Sequence, residues 1–450
     1  GGDADGHYLW GAPHLRRRSA TLLTPIVLIT LDTTRRDAVT TYGGDADATP
    51  TIEAFARHAT VFDNAHAASP WTLPSHASIF TGLYPSQHGA GVFEDHLADG
   101  LDTVAELLRR RGYITSGFAG GALSSTRFGV GQGFSQYQNP EGFETSGDRL
   151  TDHALAFLER HAKDPFFLFM NYFDPHALYE APEPYQTRFG VAERRAALRG
   201  VPVWSELTEG SNTAWRAIIA GEATPNAAAL NYLRAAYRAE VAFMDRQLGR
   251  LFEALRKYDV YESALIILVA DHGELLGEGG FFSHCCRLDP ELMEVPLVIK
   301  WPSQSRPHRV ADLVSHVDLF ATLLHGGGVP LRDRLPLTEH GRAEASRVDT
   351  VVMEEHESRI HPLFGNMMIA PHLYGLQQLH TREVVWRGGA SCSERTAHGW
   401  IETACLDNWQ GMMNRVRDLA GVTGDRVEGS EPGVLSDDER ARLEALGYVR

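Results

Sequence analysis

Short, mostly apolar runs punctuate the first three quarters of the chain, and the stretches between them carry apolar residues at helical spacing. The runs at 25–31, 113–119, 166–172, 263–270 and 296–301 are strand-sized and rich in Val, Ile, Leu and Phe, and several show no apolar–polar alternation. A strand without alternation is covered on both faces, as in a sheet sandwiched between helices. The clearest helix is expected at about 226–258, where Leu230, Leu233, Tyr237, Val241, Met244, Leu248 and Leu251 form one stripe. Strands alternating with helices predict an α/β fold, a doubly wound and mostly parallel sheet flanked by helices. Residues 180–224, spotted with Pro, Gly and Arg, predict an irregular insertion near the mouth of the site. The chain divides into an N-terminal extension (1–24), a main domain (25–345) and a smaller C-terminal α+β subdomain (346–450). The last is expected to end in a helix with a capping box at Ser436, Asp437, Asp438 and Glu439.

Composition narrows the class. With 450 residues and 43% hydrophobic content, the chain can bury a large core. A formal charge of -16 argues against a nucleic-acid-binding surface, which rewards basic faces. The longest apolar runs are strand-length, far short of a membrane span. Residues 1–20 lack an apolar core and contain Arg16, Arg17 and Arg18, unlike a secretory leader. Basic residues are almost all arginine, with Lys163, Lys257 and Lys300 the only lysines. Cys392 and Cys405 flank a short polar segment and could pair, which would suit an exported protein; Cys285 and Cys286 are adjacent and more readily free than bridged.

The candidate chemistry gathers at strand ends. Asp32 follows the first apolar run, Asp271 and His272 follow the run at 263–270, and Thr72 precedes a helix. In an open α/β sheet, residues just beyond the carboxyl ends of strands converge on one crevice. An isolated aspartate at such a place is ordinarily a helix cap or a turn.

The residues around Thr72, in Ser69-Pro70-Trp71-Thr72-Leu73-Pro74-Ser75-His76, resemble the nucleophile loop of the sulfatase branch of the alkaline phosphatase superfamily. Asp32 with its preceding strand, Asp174-Pro175-His176, Ala270-Asp271-His272-Gly273-Glu274 and Val317-Asp318-Leu319 follow in that family's order, so the resemblance covers about residues 25–330. Sulfatases carry Cys-x-Pro-x-Arg in the loop and oxidise the cysteine to formylglycine. Here the pattern is Thr72-x-Pro74-x-His76, which implies no formylglycine. An ester on threonine cannot collapse to an aldehyde and must be cleaved by attack at its central atom, chemistry that suits phosphorus better than sulfur.

The resemblance implies a divalent metal held by Asp32, Asp271, His272 and Thr72. Calcium-type sites use a second adjacent aspartate and an Asn where this chain has Thr33 and His272, so zinc or manganese is expected over calcium. Asp174, His176 and His284 could belong to a second ion site. Thr72 is the expected nucleophile, and His176 and His284 are expected to hold the substrate's oxygens and protonate the leaving group. His76 stands in the place of the sulfatase arginine, either orienting the loop or touching substrate. Ser75 and Ser78 are expected to cap or pack, Glu274 to anchor its loop, and His356 and His361 to lie on a solvated loop rather than in the pocket. None of the three lysines falls on a matching segment, whereas sulfatases of this type grip sulfate with lysines. Related arrangements occur in lipid A phosphoethanolamine transferases and lipoteichoic acid synthases, which use a threonine nucleophile.

The expected activity is therefore hydrolysis of a phosphodiester or phosphonate monoester through a phosphothreonine intermediate. The alternatives are a sulfatase without formylglycine, a phospho-group transferase and, least in keeping with the intact site, a non-catalytic binding protein. The expected partner is a small phosphate or sulfate ester, the expected location periplasmic or secreted, and the oligomeric state is left open.

Overall fold

In a computed structural model, residues 23–355 are described apart from 92–95, 140–144, 220, 285–286, 332–334 and 343–350, together with 373–377, 381–386, 389–396 and 399–403. The expectations for Cys285, Cys286, His356, His361, Cys405 and the helix after Ser436 lie outside these residues.

The strands are β1 (Ile26–Leu31), β2 (Thr60–His66), β3 (Ile114–Ala119), β4 (Gln136–Gln138), β5 (Phe166–Tyr172), β6 (Leu265–Ala270), β7 (Leu275–Leu276), β8 (Phe282–Ser283), β9 (Leu297–Lys300) and β10 (His308–Ser315). Beyond them lie β11 (Val351–Glu355), β12 (Leu373–Gln377), β13 (Thr381–Trp386), β14 (Gly389–Thr396) and β15 (Gly399–Thr403). The helices are α1 (Pro50–Ala56), α2 (Thr72–Thr81), α3 (Pro85–His88), α4 (Val104–Arg111), α5 (Gly147–His161) and α6 (Tyr185–Arg188). They continue with α7 (Val191–Ala196), α8 (Trp204–Leu207), α9 (Asn212–Ile219), α10 (Ala227–Lys257), α11 (Pro290–Met293) and α12 (Val317–Gly326).

The main sheet has eight strands in the order β10-β2-β9-β6-β1-β5-β3-β4, and only β9 runs antiparallel to its neighbours. β1, β5 and β6 are buried along their whole length, which is why their sequences are mostly apolar without alternation. Two packed groups of helices, α1/α5/α10 and α2/α4/α12, flank the sheet. α10 carries the expected stripe and starts at Asn226, whose side chain accepts the Ala229 N–H. The fold is the doubly wound α/β architecture expected.

Two corrections concern local structure. β2 and β10 are strands that the apolar pattern does not announce, because β10 lies at the sheet edge and both carry polar residues among the apolar ones. The insertion is not irregular throughout: it folds as α6 to α9, four short helices that bury Trp204, Leu207, Trp215 and Ile218. Beyond the main sheet, β11 to β15 form a five-stranded antiparallel meander, and β11 contacts β10 and α3. Cys392 on β14 is disulfide-bonded.

The sheet's register brings the strand-end carboxylates together. β1 pairs in parallel with β5 and β6, with Leu31 opposite both Tyr172 and Ala270. Asp32 and Asp271 are each one residue past that rung, so the parallel pairing delivers both carboxylates to the same edge of the sheet.

Candidate active site

Asp32 and Asp271 are wholly buried. Asp271 Oδ1 accepts the backbone N–H of His272 (2.8 Å) and of Thr33 (3.1 Å), while its Oδ2 has no hydrogen-bond partner. Asp32 Oδ2 accepts from Asn171 Nδ2 at 3.4 Å, and its Oδ1 is likewise unpartnered. A buried carboxylate oxygen without a donor is costly unless a cation faces it. Burial pushes the Asp271 carboxyl up to about 8 and, with the charge of Asp271 beside it, raises Asp32 well above the usual range.

His272 completes the group. Its Nδ1 sits 2.9 Å from the Gly273 carbonyl and must donate to it, leaving the Nε2 lone pair to face Asp271 Oδ2 at 3.5 Å and Thr72 Oγ1 at 3.4 Å. Burial holds this imidazole well below its ordinary pKa, in the neutral form a metal requires. Ligand atoms of Asp32, Asp271 and His272 lie within 4.8 Å of one another, the one such group among the described residues. The two orphaned oxygens and the oriented nitrogen fit a divalent cation. Asp174, expected as a possible contributor to a second ion site, accepts the Gly147 N–H on Oδ1 (2.8 Å), its buried Oδ2 has no hydrogen-bond partner, and it lies outside the Asp32/Asp271/His272 group.

The backbone around these ligands is held tightly. Thr33 adopts a left-handed φ of 51°, unfavourable for a β-branched residue. Its N–H is tied to Asp271, and its carbonyl accepts from the Tyr237 hydroxyl (2.8 Å), which in turn accepts the Arg35 N–H. Gly273 donates to the Leu292 carbonyl, and a Cβ there would stand 1.8 Å from the Glu291 carbonyl oxygen, so only glycine fits beside His272.

Thr72 opens α2, a helix buried along its whole length. Pro74 has no N–H and Ser75 N bonds Trp71 O, so Thr72 and Leu73 supply the donors of the helix's N-terminal turn, where an anion is favoured. The helix is fixed from below: Phe80 and His76 meet Phe169 of β5 edge-on, with centroids 5.0 and 5.7 Å apart. Ser75 Oγ donates to Ser69 O and Ser78 Oγ meets His88, so both serines brace the loop. His76 Nδ1 contacts the Thr72 carbonyl (2.8 Å) and Nε2 the Thr30 hydroxyl (3.0 Å). Both ring nitrogens face protein atoms, and a substrate contact by His76 would have to break one of these bonds.

Opposite Thr72 stand two more imidazoles. The His284 ring centroid is 4.5 Å from that of His272 and 5.0 Å from that of His176, and Trp71 meets its ring edge-on at 5.4 Å. His176 stacks on Phe173 at 4.4 Å and donates from Nδ1 to the Ala177 carbonyl. Burial depresses His176 to about 4 and His284 to about 3. Glu274, fully buried and pushed up to about 8 by that burial, contacts His284 Nδ1 through Oε1 (3.1 Å) and accepts the Tyr179 hydroxyl on Oε2 (3.2 Å).

All three lysines sit at the far end of the sheet: Lys163 precedes β5, Lys257 precedes β6, and Lys300 pairs with Ile266 at the start of β6. The expected residues Asp32, Thr72, Asp271, His272, His176 and His284 therefore come together, while the lysines do not.

Sequence reasoning missed Asn171. One residue before the end of β5, it accepts from Thr30 Oγ1 (2.6 Å) and donates to Gly120 O and Ser124 Oγ as well as toward Asp32, so it braces the Asp32 carboxylate. A lone amide in the apolar run Phe166–Tyr172 was the available signal, because a buried amide must find partners. Tyr179, Tyr237 and Arg35 were also missed. Arg35 bridges the loop after β1 to the Glu274 carbonyl and to Glu278.

Comparisons with known proteins agree with this geometry. Residues 24–329 match the family model described as Sulfatase. The Clostridium perfringens arylsulfatase is 25% identical over 367 residues, covering 68% of this chain and 76% of its own. Human arylsulfatase K is 23% identical over 428 residues, covering 85% and 77%. Among solved structures, the phosphonate monoester hydrolase of Silicibacter pomeroyi superposes with a TM-score of 0.68 at 20% identity, covering 89% of this chain and 94% of its own. With more than half of its length matched and the matched segments meeting at one crevice, the chain belongs to the Sulfatase family of the alkaline phosphatase-like superfamily and is a hydrolase of ester bonds.

Proposed function

We propose that this chain is a metal-dependent phosphoester hydrolase, acting on phosphodiesters or phosphonate monoesters through a covalent ester on Thr72. The observation that carries this reading is the placement of the Thr72 hydroxyl, at the N-terminus of a buried helix and 3.4 Å from His272 Nε2. A divalent cation on Asp32, Asp271 and His272, with Thr72 Oγ1 as a further ligand, would favour the alkoxide of Thr72 and draw charge from the ester. Zinc or manganese suits the imidazole and paucity of oxygen donors better than calcium.

Thr72 attacks the central atom in line with the leaving group. The N–H groups of Thr72 and Leu73 favour the anionic oxygens. The charge of the bound anionic substrate would draw a proton onto His284 and His176, neutral without it, so that they hold the non-bridging oxygens as donors and one gives its proton to the departing oxygen. Water then attacks the same centre to release Thr72, so two in-line displacements give overall retention. His76 holds the Thr72 carbonyl and sets the loop.

With the lysines at the other end of the sheet, the site has no ammonium to neutralise a dianionic group. A substrate with one negative charge and a second organic substituent fits best. The disulfide at Cys392 supports a periplasmic or secreted location. No helix among the described residues is long and apolar enough to cross a membrane.

A second reading, a sulfuric ester hydrolase working without formylglycine, is favoured by the names of the sequence relatives, among them arylsulfatase and the mouse iduronate 2-sulfatase. Side-by-side kinetics on nitrophenyl esters, with matched metal loading, separate the two. Bis-aryl phosphodiesters or aryl phosphonates should exceed aryl sulfates and aryl phosphate monoesters in kcat/KM by at least about tenfold, about 1.4 kcal/mol of transition-state binding. A sulfate ester turned over fastest would make the chain a sulfatase.

A further inference from the structure

We infer that Glu274 is the positioning residue for His284, and that Tyr179 links this pair to the helical insertion. This rests on the proposed role of His284 as the group that protonates the leaving oxygen. Glu274 is two residues beyond His272, yet its carboxylate turns away from the Asp32/Asp271 group and spends both oxygens elsewhere. Oε1 meets His284 Nδ1 at 3.1 Å and Oε2 meets the Tyr179 hydroxyl at 3.2 Å. The backbone of Glu274 is pinned separately, its carbonyl accepting from Arg35 Nη1 at 3.1 Å. A wholly buried carboxylate with one oxygen on an imidazole nitrogen has a defined consequence for that ring. It fixes the ring's rotation and engages Nδ1, so that Nε2 is the nitrogen left for the substrate.

The ring is clamped on its other sides by Trp71, His176 and His272, so Glu274 sets the remaining degree of freedom. When Nε2 gives its proton to the leaving oxygen, the bond from that oxygen to the central atom breaks and the bond to Thr72 Oγ1, whose own proton has passed to water, forms. The one proton on the Nδ1–Glu274 bond ends on Nδ1, and the ring ends neutral.

Tyr179 extends the chain outward. Its ring stands edge-on to Trp215 of α9 (6.0 Å) and to Tyr237 of α10 (5.6 Å), and its hydroxyl reaches Glu274. The insertion is thereby coupled to the orientation of His284, which gives residues remote from the reacting atoms a route to leaving-group selectivity.

The test uses aryl phosphodiesters or phosphonates that differ only in leaving-group acidity, on the metal-loaded enzyme. Glu274→Gln should slow turnover of the phenyl ester on the order of a hundredfold, the scale of general-acid assistance, and the nitrophenyl ester only a few-fold. Metal content should be unchanged, and Glu274→Asp should restore part of the loss. Tyr179→Phe, which keeps the buried ring, should show a smaller loss of the same pattern and covers the case in which Glu274→Gln fails to fold. His284→Ala is measured in the same series. If that variant loses all substrates equally, the acid role proposed for His284 fails. If it loses poor leaving groups selectively while Glu274→Gln and Tyr179→Phe do not, the positioning role is overturned and the proposed function stands.

Discussion

The two sides of the active site are built differently. On one side Asp32, Asp271 and Thr72 sit at the ends of β1 and β6 and the start of α2, elements buried throughout. On the other, His176 and His284 come from loops and are held by side-chain and backbone contacts, among them the Ala177 carbonyl, Glu274 and ring stacking on Phe173. The strand-end side inherits its geometry from the register of a parallel sheet, which cannot slip without exposing the core. The loop side depends on neighbours that a different insertion would change. On the proposed mechanism, attack belongs to the strand-end scaffold and departure of the leaving group to the loop rim.

The largest effects should come from the strand-end side and should fall on every substrate alike. Thr72→Ala is expected to lower turnover by at least about a thousandfold, on the scale of nucleophile removal, with phosphodiester and sulfate ester reduced together. Intact-protein mass spectrometry of the resting wild type should find Thr72 unmodified. Near-normal turnover in the variant would mean that water attacks directly. Asp271→Ala should lose bound metal and activity together, and a chelator should abolish wild-type activity, with zinc or manganese restoring it better than calcium or magnesium. Metal analysis of the purified variant checks the first half. Full activity of metal-stripped wild type would dismantle this side of the site.

A middle-sized and selective effect is expected from the loop side. His176→Ala should cost on the order of a hundredfold, more with poor leaving groups, while the metal content stays at the wild-type level. Loss of metal in that variant would show that the two sides are not separable.

The smallest effect concerns the frame behind both. Asp245 of α10 accepts the N–H groups of Thr51 (2.8 Å) and Ile52 (2.9 Å) at the start of α1, and burial pushes it up to about 6. Between about pH 4 and pH 6 the folded chain holds a proton here that the unfolded chain has released. Stability from this group therefore falls as pH rises through that window. Asp245→Asn gives up one N–H bond but removes this dependence, so the variant should gain on the wild type as pH rises from about 4 to about 6. Turnover near neutral pH should change little. Denaturant melts across that range check it, and parallel stability curves would refute the assignment.

The convergence of Asp32 and the Asp271-His272 pair was legible in the sequence because each stands directly after a strand-sized apolar run, while their reading as metal ligands came from the family resemblance. Asn171, inside such a run in β5, was passed over. The loop side was legible only through family resemblance for His176 and His284. The Glu274–His284 and Tyr179–Glu274 contacts were hidden, since hydrogen bonds between loops have no period. β2 and β10 escaped because polar residues break their apolar runs, and α6 to α9 because helices of one or two turns leave too little pattern against Pro and Gly.

The stereochemical course at phosphorus tests the central claim most directly. An aryl phosphorothioate diester of one configuration, hydrolysed in isotopically labelled water by the metal-loaded enzyme, reports whether displacement occurs once or twice. Attack by Thr72 followed by attack of water predicts retention of configuration. Inversion would contradict the phosphothreonine intermediate and leave a single direct attack by water as the reaction this site performs.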